Sequence, residues 1–204
     1  MAKIKLTKNE LKTQRDALKR FERFLPTLQL KKQQLLLEVR QGREELSRLE
    51  AQLAGEKERS SDLAALLAGT APETLTEYMR VAVWSVSQRN IAGTDVPVFN
   101  ELRFADSHSD LFETPLWLDD ALATLRRLAQ LRLQQQLLNE QLLLLEGELR
   151  TVSQRVNLFE KVKIPEAKDN IRRINIYIGD QQTNSVGRSK IAKGKCQQRD
   201  AAVM

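Results

Sequence analysis

The chain has 204 residues and a net charge of +6, and Ala, Glu, Lys, Leu and Arg supply 101 of its residues, the share found in long helices and coiled coils. Aromatic residues are only 5%, and eight Gly with five Pro are few, which disfavours an aromatic-rich β core and a loop-rich fold. A single cysteine, Cys196, rules out an internal disulfide scaffold and fits a reducing compartment.

No stretch approaches the roughly 18 consecutive apolar residues of a membrane-spanning helix; the longest leucine run is Leu142 to Leu145. Met1-Ala2-Lys3-Ile4-Lys5-Leu6 carries charge with no apolar region after it, so no secretory signal is expected and a cytoplasmic location is the default. Charge is uneven along the chain. Residues 1–32 hold ten basic and three acidic groups, residues 51–115 five and ten, and residues 155–199 eleven and four. A chain that folds back on itself would bring its two basic segments to one end.

The first predicted element is a helix over residues 7–68. An alternating spacing of three and four runs through Leu18, Phe21, Leu25, Leu28, Lys32, Leu35, Val39, Gly42, Leu46, Leu49 and Leu53, a heptad seam with Lys32 and Gly42 as its two exceptions. Pro26 falls inside it and should kink it. The connector, residues 69–115, reads as a small α/β segment with a short helix and a β-hairpin. Val81-Ala82-Val83-Trp84-Ser85-Val86 has strand composition, Val96, Val98, Leu102 and Phe104 suggest its partner, and residues 90–95 supply the turn. Pro97 confines the second strand to an edge or a strand start. Trp84 and Trp117 are expected to be packing residues. Thr114-Pro115 predicts an N-cap followed by proline at the first helical position, with Asp119 and Asp120 in the first turn.

A second helix is predicted over residues 116–178, within a C-terminal coiled-coil region of residues 116–186. Its seam is Leu138, Leu142, Leu145, Leu149, Val152, Val156 and Phe159, with a looser approach through Leu128 and Leu131. Past Phe159 the spacing slips by one residue, at Ile164-Pro165, and resumes as Ala167, Ile171, Ile174 and Ile178. Each helix of about 60 residues would be about 90 Å long. The fold class is therefore mainly α: a long antiparallel two-helix coiled-coil hairpin, paired about a centre near residue 92. That pairing puts Pro26 and Pro165 within a turn or two of each other. Residues 187–204 are expected to form a basic, disordered tail.

Little in the sequence suggests catalysis. His108 lies in Ser107-His108-Ser109-Asp110, but adjacent loop residues cannot form the geometry of a hydrolase triad. One histidine and one distant cysteine make no zinc site, and no phosphate-binding G-x-x-x-x-G-K-[ST] loop occurs. The sequence implies no cofactor. The basic segments lack stacking aromatics, so a solvated helix face or a fit to an acidic protein cavity outweighs nucleic-acid binding.

Three separated segments resemble the D subunit of V-type (vacuolar and archaeal-type) rotary ATPases. One is Lys5-Leu6-Thr7-Lys8 with the stretch from Leu30-Lys31-Lys32 to Glu38. Another is Asn90-Ile91-Ala92-Gly93 with Val96-Pro97. The most specific is Arg155-Val156-Asn157-Leu158-Phe159-Glu160 with Ile164-Pro165, similar to R-V-N-A-L-E followed by I-P. The chain departs from the pattern at Leu158-Phe159, where Ala-Leu is typical, and at Gly179 to Asn184, where the family has a charged Glu/Arg helix. A bacterial member is expected.

The resemblance implies a non-catalytic central-stalk rotor subunit, peripheral to the membrane with no direct insertion. Its implied partners are the A and B subunits of the catalytic head, the small F subunit and the membrane-ring adaptor, with no nucleic acid. Placed in that picture, Lys3, Lys5, Lys8, Lys12, Lys161, Lys163, Arg172 and Arg173 are the expected head contacts. The alternative is a free-standing coiled-coil scaffold or a nucleic-acid-associated protein.

Overall fold

The computed structural model describes residues 4–61, 78–105, 115 and 117–202. Helix α1 spans Lys8–Arg59, strands β1 and β2 span Val81–Ile91 and Thr94–Phe104, and helix α2 spans Leu118–Leu158. A π-helical turn over Phe159–Lys163 leads directly into helix α3, Ile164–Ala202. The chain is mainly helical, as expected. The helical extension past Ser61, the connector's short helix, Thr114 and the Ser107–Asp110 cluster lie outside the described residues.

Local chemistry sets the helix starts. Thr7 caps α1: its Oγ1 accepts from the Glu10 backbone N–H (3.3 Å), and its carbonyl accepts from Leu11 N–H (3.0 Å). Thr7-Lys8-Asn9-Glu10 has the spacing of a capping box, with a carboxylate in the first turn. Helix α2 opens later than Pro115. That proline is a lead-in residue whose carbonyl accepts from Leu118 N–H (3.0 Å), not the first helical position. Asp119 and Asp120 do occupy the first turn.

Two compact units divide the chain: Met1–Leu30 with Val152–Met204, and Lys31–Thr151. Each contains an antiparallel pair of helical segments. In the first unit Phe21 meets Phe159 with ring centroids 5.3 Å apart, Glu22 pairs with Lys168 at 3.6 Å, and Arg15 donates to Asn175 Oδ1 at 3.4 Å. In the second, ion pairs join Lys31 to Glu148 (2.6 Å), Arg43 to Glu146 (2.6 Å) and Arg127 to Glu56 (3.1 Å). Gly42 lies opposite Leu142, so the pairing is centred on residue 92, as read from the sequence.

The heptad seam supplies most of the core, joined by Ile91 and Val96 of the hairpin and by Leu118, Ala121 and Leu122 at the start of α2. None of its positions from Leu18 to Leu53, or from Leu138 to Phe159, is exposed. Leu35, Leu145 and Val152 are almost wholly buried. Gly42, an exception in the pattern, has a packing reason: a Cβ there would lie 2.8 Å from Leu142 Cδ2. The glycine leaves the hole that Leu142 fills.

Within the connector, residues 81–104 fold into an antiparallel hairpin. Ile91 pairs with Thr94 across a two-residue turn in which Ala92 (φ 51°) and Gly93 (φ 83°) both adopt left-handed backbone, the twist a tight hairpin favours. Asn90 Oδ1 accepts from Gly93 N–H (3.0 Å), and its amide donates to Asp95 (2.6 Å). Both strands of a two-stranded sheet are edges, so Pro97 sits within β2.

The second unit holds this hairpin at both ends. At its base, Arg126 on α2 donates to the Tyr78 carbonyl (2.9 Å) and the Ala105 carbonyl (3.4 Å), and its guanidinium stands 5.6 Å from the Phe104 ring centroid. At its tip, Lys31 Nζ lies 3.8 Å from where a Gly93 Cβ would be, while pairing with Glu148. Ile91 and Val96 are buried. A groove of about 320 Å³ separates the sheet from both helices, lined by Leu49, Arg89, Pro97, Phe99, Leu137 and Leu138 among others. Trp84 departs from its expected packing role: it is exposed, tilted against Phe99 at 5.8 Å, beside exposed Val81, Val83 and Val86.

Helix α3 continues past Gly187 to Ala202, within the stretch expected to be disordered. Gly187 and Gly194 are its only breakers from there on, and the Lys, Arg, Gln and Ala around them are good helix formers.

Three substitutions test the seam, one of them a surface control. Leu145→Ala should cost about 2–5 kcal/mol, whereas Leu143→Ala, at an exposed neighbour, should stay within about 0.5 kcal/mol. Gly42→Val should cost about 1–3 kcal/mol through overpacking against Leu142. Urea unfolding of the full chain followed by circular dichroism gives all three values.

Candidate functional site

The residues singled out for partner contact fall in the first unit, around the start of α1 and the π turn. Lys3 lies outside the described residues. Lys5, Lys8, Lys12, Lys161, Arg172 and Arg173 are exposed, and Lys163 is half-buried. Lys163 pairs with Glu166 at 3.2 Å. Among the described residues, no ion pair engages the other six.

Carboxylates interleave with these cations. A groove of about 760 Å³ between the chain start and α3 is lined by Lys5, Lys161 and Arg173, but equally by Glu10, Glu166 and Asp169. Gln14 donates to Glu10 at 2.9 Å. Such a groove is electrically mixed and does not concentrate a single charge sign, so it suits a protein surface better than a phosphate. The unopposed basic charge lies outside it, at Lys8, Lys12 and Arg172. Among the described residues no group of three His, Cys, Asp or Glu side chains is placed to hold a metal ion. No helix there is long and apolar enough to cross a membrane. Cys196 is an exposed free thiol.

The motif Arg155-Val156-Asn157-Leu158-Phe159-Glu160 occupies the end of α2 and enters the π turn. Val156 is its buried member, packed in the seam, while Arg155, Asn157 and Glu160 are exposed. The Ile164 N–H donates to the Phe159 carbonyl, five residues back, and Pro165 follows immediately. Proline carries no N–H and crowds the carbonyl four residues earlier. The wider turn accommodates that crowding, and it contains one more residue than an α turn would. The one-residue slip read in the heptads is this turn.

Past the turn the buried positions are Ala167, Asn170 and Ile174, with Ile171 half-buried. Asn170, the one buried polar side chain among the described residues, was missed in sequence. A three-then-four series from Ala167 would have found it. The apolar Ile171 next door drew the pattern away. A buried polar residue in a seam fixes register at some cost in stability.

Paired helices joined by an apolar heptad seam, with ion pairs along the flanks, define a coiled-coil protein. Comparison with known proteins narrows this class. The chain belongs to the family of ATP synthase D subunits, whose model matches residues 10–194. It is 46% identical over 195 residues, 95% of each chain, to the D subunit of the V-type ATP synthase of Borreliella burgdorferi. It is 36% identical over 201 residues to the protein of that name in Chlamydia caviae, covering 97% of this chain and 96% of the relative. In Chlamydia trachomatis the identity is 35% over 202 residues, covering 97% and 98%.

The ring pair beside the π turn can be tested directly. A double-mutant cycle with Phe21→Ala and Phe159→Ala should return a coupling of about 0.5–1.5 kcal/mol in the unfolding free energy. Additive single effects would show that the two rings do not support each other.

Proposed function

We propose that this chain is the central rotor subunit of a V-type ATP synthase or ATPase, a non-catalytic part that couples nucleotide chemistry in the head to ion translocation through the membrane ring. The observation that carries the reading is near full-length membership of the D-subunit family, with the match spanning both helical segments of each unit. The chemistry of the described residues is compatible with it. Two helices joined by a long apolar seam resist unwinding better than one. The exposed cations of the first unit present many screened, weak contacts instead of a few deep ones. A turning part needs that kind of surface, because strong anchors would hold it at one angle.

In this reading, Lys5, Lys8, Lys12, Lys161, Arg172 and Arg173, with Lys3 and Lys163, face the A and B subunits. The F subunit and the ring adaptor meet the Lys31–Thr151 unit. The chain is peripheral to the membrane and reaches it through its partners. Pressing on one A–B interface at a time, it would bias successive sites towards different nucleotide states through differential contacts.

Native mass spectrometry of complexes recovered on the tagged chain is the first test. One copy bound with three A and three B subunits is expected. A homo-oligomer, or a nucleic-acid complex without ATPase subunits, would overturn the reading in favour of a scaffold or a nucleic-acid-associated protein. In the assembled complex, replacing Lys161, Arg172 and Arg173 together by Glu should lower the ions moved per ATP severalfold and leave the melting temperature of the isolated chain within about 2 °C. Unchanged coupling would remove these residues from the contact set.

A further inference from the structure

The π turn at Phe159–Lys163 is a defect that the rest of the helix does not share. From Leu118 to Ala202 it is the one departure from α-helix, and none of its five residues is buried. Cavities flank it: the groove of about 760 Å³ on one side, lined in part by Lys161 and Val162, and one of about 200 Å³ lined in part by Phe21, Lys163, Ala167 and Asn170. The seam on either side is closed, with Val152 and Val156 buried before the turn and Ala167 and Ile174 after it.

The sequence shows what the defect consists of. The spacings are four from Val152 to Val156, three to Phe159, then five to Ile164, followed by three, four, three and four through Ala167, Ile171, Ile174 and Ile178. Removing one residue between Phe159 and Ile164 would make the heptad continuous. The extra residue corresponds to about 100° of helical rotation, absorbed within one wide turn whose hydrogen bonds run to the fifth residue back.

We propose that this turn is the torsionally soft point of the second helix, a store of one residue of twist between two closed stretches of seam. Its N–H groups can exchange fifth-residue for fourth-residue partners, moving the wide turn along the chain without opening Val152–Val156 or Ala167–Ile174. Twist applied to α3 winds this turn before it strains the seam in α2. The wide turn and its looseness are properties of the chain itself. Their use in transmitting torque rests on the rotor reading.

Hydrogen exchange on the full chain, resolved to single amides, tests it with two variants. One deletes Val162 and carries Pro165→Ala, giving an unbroken heptad; the other carries Pro165→Ala alone and keeps the extra residue. In the native chain the amides of residues 160–164 should exchange at least about tenfold faster than those of Val152–Leu158. The deletion variant should remove that difference and melt several degrees higher, whereas Pro165→Ala alone should leave the fast amides in place. A deletion variant that still exchanges fast, or that loses helical circular dichroism, overturns the proposal. So does the loss of fast exchange in Pro165→Ala alone, which would make the proline and not the extra residue the cause. In the assembled complex the deletion variant should narrow the angular fluctuations of a probe on the rotor, and an unchanged width counts against the soft turn. Failure of the native chain to enter such a complex would count against the rotor reading and leave the exchange result standing.

Discussion

Everything in this protein depends on a narrow apolar seam between helices. The sequence offers few aromatics and no globular core. A helix such as α1, with 52 residues and charge around most of its circumference, draws its stability from packing along one stripe. Leu35, Val39, Gly42 and Leu53 on that stripe are buried, as are Leu138, Leu142, Leu145, Val152 and Val156 on the other side. The ion pairs Lys31–Glu148, Arg43–Glu146 and Arg127–Glu56 lie along its flanks. Their aliphatic stems can cover the seam while the charged groups stay in water. The seam sets the antiparallel register, and the register in turn decides which residues of the hairpin and of the basic segments become neighbours.

Much of this was legible because the seam is a one-dimensional pattern. The spacing of three and four located Leu35, Val39 and Leu53 of α1 and Leu138, Leu142, Leu145, Val152 and Val156 of α2, their centre of pairing and the slip at the π turn, but not the buried Leu118, Ala121 and Leu122 at the start of α2. The hairpin was legible for a similar reason, since β-branched runs flanking Ala92-Gly93 leave few other structures open. What escaped depends on three-dimensional neighbours. The Gly42 hole exists because Leu142 lies across from it, and Asn170 was hidden by an apolar Ile171. Trp84 looks like a core residue by type, but its ring is exposed and meets Phe99 within a sheet of only two strands. Pro115 was placed one turn too late in the helical scheme, because a proline suited to the first helical position also suits the turn before it.

The candidate site shows the same division. A count along the sequence finds two basic segments and an acidic middle, and antiparallel folding of the first unit brings those basic segments together. It does not show that Glu10, Glu166 and Asp169 stand among the lysines and arginines. The surface is therefore one of mixed sign with surplus positive charge at its edges. Charges of that kind steer and orient a partner more than they hold it. The motif from Arg155 to Pro165 combines both aspects: Val156 belongs to the seam, Glu160 to the surface, and the wide turn between them to neither.

The hairpin held between Arg126 and Lys31 has a consequence for how this chain can change over evolution. A strand advances about 3.3 Å per residue and a helix about 1.5 Å. The eleven residues of each strand thus cover about 36 Å, close to the roughly 33 Å of α2 from Arg126 to Glu148. The two elements act as rulers with different graduations laid along the same span. Lengthening the hairpin by one residue per strand would carry its tip about one half-turn of helix further, away from Lys31. Insertions and deletions in the connector are therefore tolerable chiefly outside the clamped span, because the two helical residues needed to match one strand residue would turn the apolar seam by about 200°.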